Sequence, residues 1–91
     1  MEKAIALLEV QANVAAIAGL DAMVKAANVK LIHVERRLGG RLVTVVVEGT
    51  VSDVEAAARA GEAAARMVGK VKLCEVIARP HPEVMKFLTT G

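Results

Sequence analysis

The sequence predicts an α+β fold in which an antiparallel sheet carries two helices on one face. Short apolar segments of strand length alternate with two longer segments whose apolar residues recur at helical spacing. The pair Gly39-Gly40 lies between two strand-like segments and is typical of a tight hairpin turn. A length of 91 residues leaves room for one domain only, so we interpret residues 1–91 as a single domain.

The first half of the chain predicts a strand, a helix and a second strand. Residues 4–10 are nearly all apolar, which is typical of a strand buried on both faces. We expect Asn13 to cap a helix that ends near residue 28. The buried face of this helix is predicted to carry three large apolar residues at helical spacing, Ile17, Leu20 and Val24. Residues 29–37, rich in β-branched and apolar side chains, predict the second strand.

A third strand and a long helix follow the glycine pair. Residues 42–48 alternate so that one face of the strand is wholly apolar, with Val43, Val45 and Val47. We expect Ser52 or Asp53 to cap the second helix and Gly69 to end it. The apolar stripe of this helix consists mostly of small residues that would let it lie close to whatever it covers, most simply the sheet: Val54, Ala57, Ala58, Gly61, Ala64, Ala65 and Val68.

The last part of the chain predicts a fourth strand at residues 71–78 and a short terminal helix at residues 83–88, separated by Pro80 and Pro82. The resulting order, βαββαβ with a tail, is the ferredoxin-like arrangement, with both long helices on one face of the sheet. The opposite face then needs a cover. The tail helix can hide part of it, and neighbouring subunits could hide more.

The composition indicates self-association. Hydrophobic residues make up 55% of the chain and aromatic residues 1%, so the apolar content is almost entirely aliphatic. A chain of this length buries only roughly 60% of the surface that its unfolded form exposes. Because contiguous exposed apolar surface usually marks an interaction site, we expect an oligomer.

The composition also argues against several partners. A net charge of +2 does not by itself indicate nucleic acid, and Phe87 is the only aromatic residue that could stack on a base. Cys74 is the single cysteine, which excludes an internal disulfide and fits a reducing compartment. No apolar run approaches the ~20 residues that span a bilayer, and the amino terminus leads directly into a strand, so neither membrane insertion nor export is indicated.

Four segments, spread over nearly the whole chain, resemble the bacterial microcompartment (BMC) shell domain. Residues 21–29 (DAMVKAANV) resemble the signature of its first helix, and residues 41–49 (RLVTVVVEG) its central strand. Residues 58–66 are similar to its alanine-rich second helix, and residues 76–81 (VIARPH) to its closing motif. The resemblance implies a structural, non-enzymatic protein of the bacterial cytoplasm. It also implies flat cyclic hexamers that tile edge to edge into a shell. Each hexamer would carry a central pore for small metabolites.

The same resemblance implies two sets of functional residues. The hairpin loop of each subunit would line the pore with Arg37, Leu38, Gly39, Gly40 and Arg41, a more basic loop than the Lys-Ile-Gly-Ser-Gly type common in the family. The residues at the hexamer edge would be Lys25, Arg79 and His81. There, Lys25 would lie alongside the lysine of the adjacent hexamer, and Arg79 would reach across the same edge. The implied partners are other copies of the chain, other shell proteins of the same compartment and enclosed enzymes.

Each of these residues has an ordinary structural interpretation as well. Gly39-Gly40 would also serve a plain hairpin turn, the arginines could be solvated charges, and Lys25 could be an ordinary helix-surface lysine. His81, between two prolines, would equally shape a turn or cap the tail helix.

No enzymatic or metal chemistry is indicated. His33 and His81 are far apart in sequence and Cys74 is the only thiol, so we expect no metal site, no catalytic residue and no cofactor. An acylphosphatase-type enzyme would need an arginine and an asparagine around a phosphate loop, which are not evident. The alternative that stays open is a ferredoxin-like homo-oligomeric module that binds a small regulatory molecule between subunits.

Overall fold

The computed structural model describes residues 3–90, with side chains up to Leu88. Its strands are β1 (Ala4–Gln11), β2 (Lys30–Arg37), β3 (Leu42–Gly49) and β4 (Val71–Ile77). They form one sheet in the order β2-β3-β1-β4, in which every neighbouring pair is antiparallel. This is the strand order of the ferredoxin-like arrangement, and the predicted fold class is confirmed.

Three helices complete the fold: α1 (Asn13–Ala26), α2 (Val51–Arg66) and α3 (Pro82–Thr90). Buried residues of α1 and α2 belong to one hydrophobic cluster, on one face of the sheet. Leu88 of α3 belongs to a second cluster, on the opposite face. Two helices therefore cover one face, and the short terminal helix partly covers the other, as predicted. No helix in residues 3–90 combines the length and apolarity needed to cross a membrane.

The alternation of side chains along the central strands builds both clusters. The main cluster takes every second residue of β1 and β3, and its strand members are Ala4, Ala6, Leu8, Val10, Val43, Val45 and Val47. Ile5 and Val46 point the other way and pack with Leu88. The first strand is thus buried on both faces, as its apolar run predicts. Each fully buried Leu, Ile or Val stabilises the fold by about 1.5–3 kcal/mol.

The two long helices cross at a pair of glycines. A Cβ built on Gly19 would lie 2.6 Å from Leu8 Cδ2 and 3.3 Å from the Gly61 carbonyl oxygen. A Cβ on Gly61 would lie 2.5 Å from Met23 Cγ. Gly61 is therefore required by the contact between α1 and α2, whereas the sequence predicted a close approach of α2 to the sheet. Val68, the last member of the predicted stripe, follows the end of α2 and is exposed.

The buried face of α1 differs from the predicted one. Its buried residues are Ala15, Ala16, Gly19 and Met23. Ile17 is 68% exposed and Val24 is also exposed, so the predicted stripe is wrong at two of its three positions. Small residues face inward because α1 lies close to both α2 and the sheet. Since α1 is apolar on most sides, helical spacing alone could not distinguish the inner face from the outer one.

The caps of both long helices also differ from the predictions. Asn13 is the first residue of α1, and the residue before it, Ala12, has φ 76° and provides no side-chain cap. Thr50, rather than Ser52 or Asp53, caps α2, because its Oγ1 accepts a hydrogen bond from the Asp53 amide at 3.1 Å. The same hydroxyl donates to Asp53 Oδ2 at 2.9 Å. A cap with a carboxylate three residues later resembles the capping box.

Candidate functional site

The hairpin loop, residues 38–41, joins β2 to β3 through three consecutive left-handed residues. Arg37 pairs with Leu42, and the chain between them turns with φ values of 54° at Leu38, 66° at Gly39 and 86° at Gly40. The predicted hairpin at the glycine pair is confirmed, although the turn also includes Leu38. A left-handed conformation costs a residue such as leucine roughly 1–2 kcal/mol, so other contacts must hold Leu38 in place.

The two glycines of the hairpin loop have different surroundings. A Cβ on Gly39 would meet no heavy atom within 4 Å, so this position requires glycine only for its backbone conformation. A Cβ on Gly40 would lie 3.1 Å from Asn13 Nδ2, so Gly40 also allows α1 to begin close to the loop. Leu38 itself projects outward and is 65% exposed.

Arg41 holds the hairpin loop from its C-terminal side. Its guanidinium Nε donates a hydrogen bond to the Leu38 carbonyl oxygen at 2.9 Å, and its backbone amide donates to the same oxygen at 3.3 Å. The Arg41 carbonyl in turn accepts from the Ala12 amide at 3.1 Å, which links the loop to the start of α1. Sequence reasoning assigned Arg41 only a charge, because nothing in the sequence reveals that its side chain folds back.

The two arginines of the loop region line different depressions of the surface. Arg37 lines a cleft of about 180 Å³ beside α3, together with Phe87 and Leu88. Arg41 lines a groove of about 570 Å³ that also includes Lys72. The predicted pore-lining residues are contiguous along the chain, but within one subunit Arg37 and Arg41 line two separate depressions.

The predicted edge residues lie at the other end of the strands. Arg37 and Leu42 are level with Gln11 at the end of β1, whereas Ile77, just before Arg79, pairs with Ile5. Six residues of extended strand separate the two levels, or roughly 20 Å at ~3.3 Å per residue. Helix α1 spans the same distance, because it begins beside Gly40 while Asn28, beyond its end, contacts Gly49. The structure thus separates the loop from the edge set instead of bringing them together.

Two side chains of the edge set, those of Lys25 and His81, contact residues close by in the chain. Lys25 Nζ forms an ion pair with Asp21 Oδ2 at 2.9 Å, one helical turn earlier, and both side chains are largely exposed. An exposed pair of this kind contributes little to stability and can be exchanged for another partner. His81 Nδ1 accepts a hydrogen bond from the Glu83 amide at 3.1 Å, so the ring caps the start of α3.

The loop end of the molecule is strongly basic. Six cationic residues lie on the loop, on the strand ends beside it or at the adjacent end of α2: Arg36, Arg37, Arg41, Arg66, Lys70 and Lys72. Arg66 pairs with Glu62 at 2.6 Å. Half of the 12 lysines and arginines of the chain are therefore concentrated here, which makes the local potential positive although the net charge is only +2.

Two unlike apolar surfaces lie on the two sides of the subunit, one beside β2 and the other beside β4. Sequence reasoning missed both. On the β2 side, exposed Val14 and Ile17 project from α1 beside a groove of about 220 Å³. On the β4 side, Met67 is 83% exposed, and Val68 and Leu73 are exposed near it along the chain. Exposed apolar side chains that lie together usually mark an interaction site. The run of residues 14–20 without a polar side chain was the signal that could have revealed the first surface.

The other groups to consider are the His, Asp and Glu side chains and the thiol of Cys74. In the described part of the chain, no group of three or more His, Cys, Asp or Glu side chains could hold a metal ion. Cys74 is half-buried on β4, where its Sγ lies 3.6 Å from the Ala58 carbonyl oxygen. Burial, followed by the charges of Glu62 and Glu75, raises the pKa of the Cys74 thiol. A raised pKa favours the protonated thiol, which is the unreactive form.

Comparison with known proteins identifies the family. The BMC domain family matches residues 4–80. The chain is 50% identical over 90 residues to the bacterial microcompartment shell protein PduA of Citrobacter freundii, which covers 99% of this chain and 96% of the relative. It is 42% identical over 89 residues to the shell protein EutM of Escherichia coli K12, with coverage of 98% and 91%.

A solved structure extends the likeness to three dimensions. A microcompartment protein from Desulfitobacterium hafniense superposes with a TM-score of 0.85 at 27% sequence identity. The match covers all of this chain and 49% of that one, so the present fold corresponds to about half of the longer protein. Three observations lead to the same family. They are the sequence matches over almost the full length, the shared fold and the order of the resembling segments. The chain belongs to the BMC-domain family of bacterial microcompartment shell proteins.

Proposed function

We propose that this shell protein closes into a cyclic homohexamer and that hexamers tile edge to edge into a flat facet. The observation that carries the proposal is the separation of the hairpin loop from Lys25 and Arg79 by nearly the full length of the strands. A subunit built this way can bring its loop to a central axis while its other end forms the rim of the ring. The loop then meets its own copies, and the rim meets other rings.

The lateral surfaces support closure of the ring. A cyclic ring needs heterologous contacts, in which one side of a subunit binds the different, opposite side of the next. The exposed apolar residues of α1 on the β2 side, and Met67, Val68 and Leu73 on the β4 side, supply two such unlike surfaces. Their mutual burial would remove from water the apolar surface that a chain of this length cannot cover by itself.

We place the pore at residues 37–41. Gly39 and Gly40 carry no side chain that could block an axis shared by several copies. Arg37 and Arg41 would make the opening positive and raise the local concentration of small anionic metabolites. Replacing both arginines by glutamate should lower the flux of an anionic solute into assembled shells, and an unchanged flux would refute this part of the proposal.

The proposed role is structural throughout. Relatives named as shell proteins support an assignment in which residues 1–91 act as one shell domain, catalyse no reaction and hold no cofactor or metal. The partners would be copies of the same chain, other shell proteins of the compartment and the enzymes enclosed by it, in the bacterial cytoplasm. Neither nucleic acid nor a membrane is among the proposed partners.

The assembly is tested at two levels. Light scattering during size exclusion should give a mass near six times the 9.5 kDa chain. Electron microscopy of the same sample should show extended sheets. Lys25→Ala and Arg79→Ala should each reduce the sheets and leave the hexamer mass unchanged, because both residues lie at the rim.

Lys70→Ala is the matched control, since it removes one exposed lysine at the loop end of the molecule. If Lys25→Ala and Arg79→Ala formed hexamer sheets as extensive as those of Lys70→Ala, the assignment of Lys25 and Arg79 to the hexamer edge would be contradicted. A stable monomer at high protein concentration would contradict the ring itself. Discrete oligomers that bind a small molecule tightly and form no sheets would instead favour a regulatory module.

A further inference from the structure

The geometry points to a division of labour between the two arginines of the loop region: Arg41 positions the hairpin loop, whereas Arg37 supplies the mobile positive charge. The positioning role concerns the isolated chain as much as any assembly. Its consequence for transport rests on the proposed function, since it assumes that the loop surrounds an opening. Arg41 would then determine the width of that opening, and Arg37 its preference for charge.

The positioning role follows from what holds the loop. Leu38, Gly39 and Gly40 are all left-handed, and a non-glycine residue in this region persists only where its surroundings require it. Packing does not supply that requirement, because the Leu38 side chain is largely exposed and a Cβ on Gly39 would touch nothing. The restraint comes from the Leu38 carbonyl oxygen, which accepts both the Nε–H and the backbone N–H of Arg41.

Arg41 is suited to this role because it is fastened at its other side. Its carbonyl oxygen accepts the Ala12 amide at 3.1 Å, at the junction between β1 and α1. Arg41 therefore links the Leu38 carbonyl in the loop to the junction between β1 and α1 by hydrogen bonds on both of its sides. The donor to Leu38 is a guanidinium, and hydrogen bonds from charged donors are shorter and stronger than those between neutral groups.

Arg37 differs on each of these points. It is exposed, it lines the cleft beside α3 instead of the groove of Arg41, and in the described part of the chain its side chain makes no hydrogen bond or ion pair. Its guanidinium is consequently free to follow a passing anion. Arg37 and Arg41 carry the same charge and lie four residues apart, so each is a matched control for the other.

The test compares Arg41→Met, Arg37→Met and Arg41→Lys in the assembled protein. Methionine keeps much of the length of arginine and removes charge and donor together, while lysine keeps the charge and loses the Nε–H of the guanidinium. Hydrogen exchange followed by mass spectrometry reports on a peptide that covers residues 38–41. Flux of an anionic and of a neutral solute of equal size into assembled shells reports on the opening.

In Arg41→Met and Arg41→Lys, the amide of residue 41, which donates to the Leu38 carbonyl oxygen, should exchange about fivefold faster, the factor expected for the loss of one hydrogen bond. In Arg37→Met, the same amide should stay within about twofold of the parent protein. Flux of the neutral solute should change only in the two Arg41 variants. Anion flux should fall in Arg37→Met while neutral flux is unchanged.

The outcomes separate the two ideas. Equal exchange rates in Arg37→Met and Arg41→Met would overturn the positioning role of Arg41. Exchange restored to the parent rate in Arg41→Lys would overturn the requirement for a guanidinium, because the lysine ammonium would then donate to the Leu38 carbonyl oxygen in its place. Faster exchange in the Arg41 variants, combined with unchanged flux of both solutes in every variant, would establish the positioning role and refute the proposed pore.

Discussion

Alanine at Gly61 should destabilise this protein, and the same substitution should cease to be destabilising once Met23 is shortened. In the folded chain, a Cβ on Gly61 would lie 2.5 Å from Met23 Cγ, 3.0 Å from Met23 Sδ and 3.2 Å from the Gly19 carbonyl oxygen. Met23 is 0% exposed, so its side chain can move aside only within the close-packed core. Two effects of opposite sign therefore meet at one position.

The magnitudes decide the sign in each background. Overpacking a close-packed core costs about 1–3 kcal/mol, whereas replacing glycine by alanine inside a helix contributes about 1 kcal/mol of stability. Gly61→Ala alone should therefore lower the free energy of unfolding by up to roughly 2 kcal/mol. Met23→Ala alone leaves a cavity and should cost about 2–5 kcal/mol. In that background the added Cβ no longer meets Cγ or Sδ and keeps only the 3.2 Å approach to the Gly19 carbonyl oxygen, so the effect of Gly61→Ala should lie between zero and a gain of about 1 kcal/mol in the free energy of unfolding.

The assay is a double-mutant cycle by guanidinium unfolding at one fixed protein concentration, because association contributes to apparent stability. The coupling energy between Gly61 and Met23 should be roughly 1–3 kcal/mol. Ala63→Gly, at an exposed position of α2, is the control and should cost about 1 kcal/mol in both backgrounds. The reasoning is refuted if Gly61→Ala shifts stability by the same amount with and without Met23.

Two further predictions concern the cap of α2 and the buried thiol. Thr50→Ala should lower the free energy of unfolding by about 1 kcal/mol, because the Asp53 amide loses its cap, whereas Ser52→Ala should change it little. Equal urea midpoints for these two variants would contradict Thr50 as the cap. Burial raises the pKa of Cys74 above its usual 9.0, so the unfolded chain ionises first as pH rises and stability falls above that pH. Cys74→Ala should flatten this decline, and identical pH slopes for parent and variant would count against it.

Strands and hairpins were predictable because their signals are local. The alternation of β3 and the apolar run of β1 follow from side chains pointing to alternate faces, and both are confirmed. The left-handed turn at Gly39-Gly40 is confirmed for a similar reason, since the conformational freedom of glycine is a property of the residue itself. The caps were less predictable, because Thr50, Ser52 and Asp53 are all acceptable capping residues.

The residues of the candidate site could be predicted from the sequence, but their arrangement in space could not. Arg37 and Arg41 could be named from the sequence, yet their assignment to different depressions depends on the path of the loop between β2 and β3. The hydrogen bond from Arg41 to Leu38 joins residues three apart, but it requires a backbone conformation that no spacing rule specifies. The unlike apolar surfaces were missed because exposure is decided by what other elements leave uncovered.

By itself, the sequence determined the order of the elements, the alternation that buries both faces of the central strands and the family to which the chain belongs. These properties depend on residue types and on short periods along the chain. Only the tertiary structure decided which face of α1 is buried, why Gly61 must be glycine and how far the loop lies from Lys25 and Arg79. Those properties depend on distances between segments remote in sequence, and close packing admits one arrangement of them where local spacing allows several.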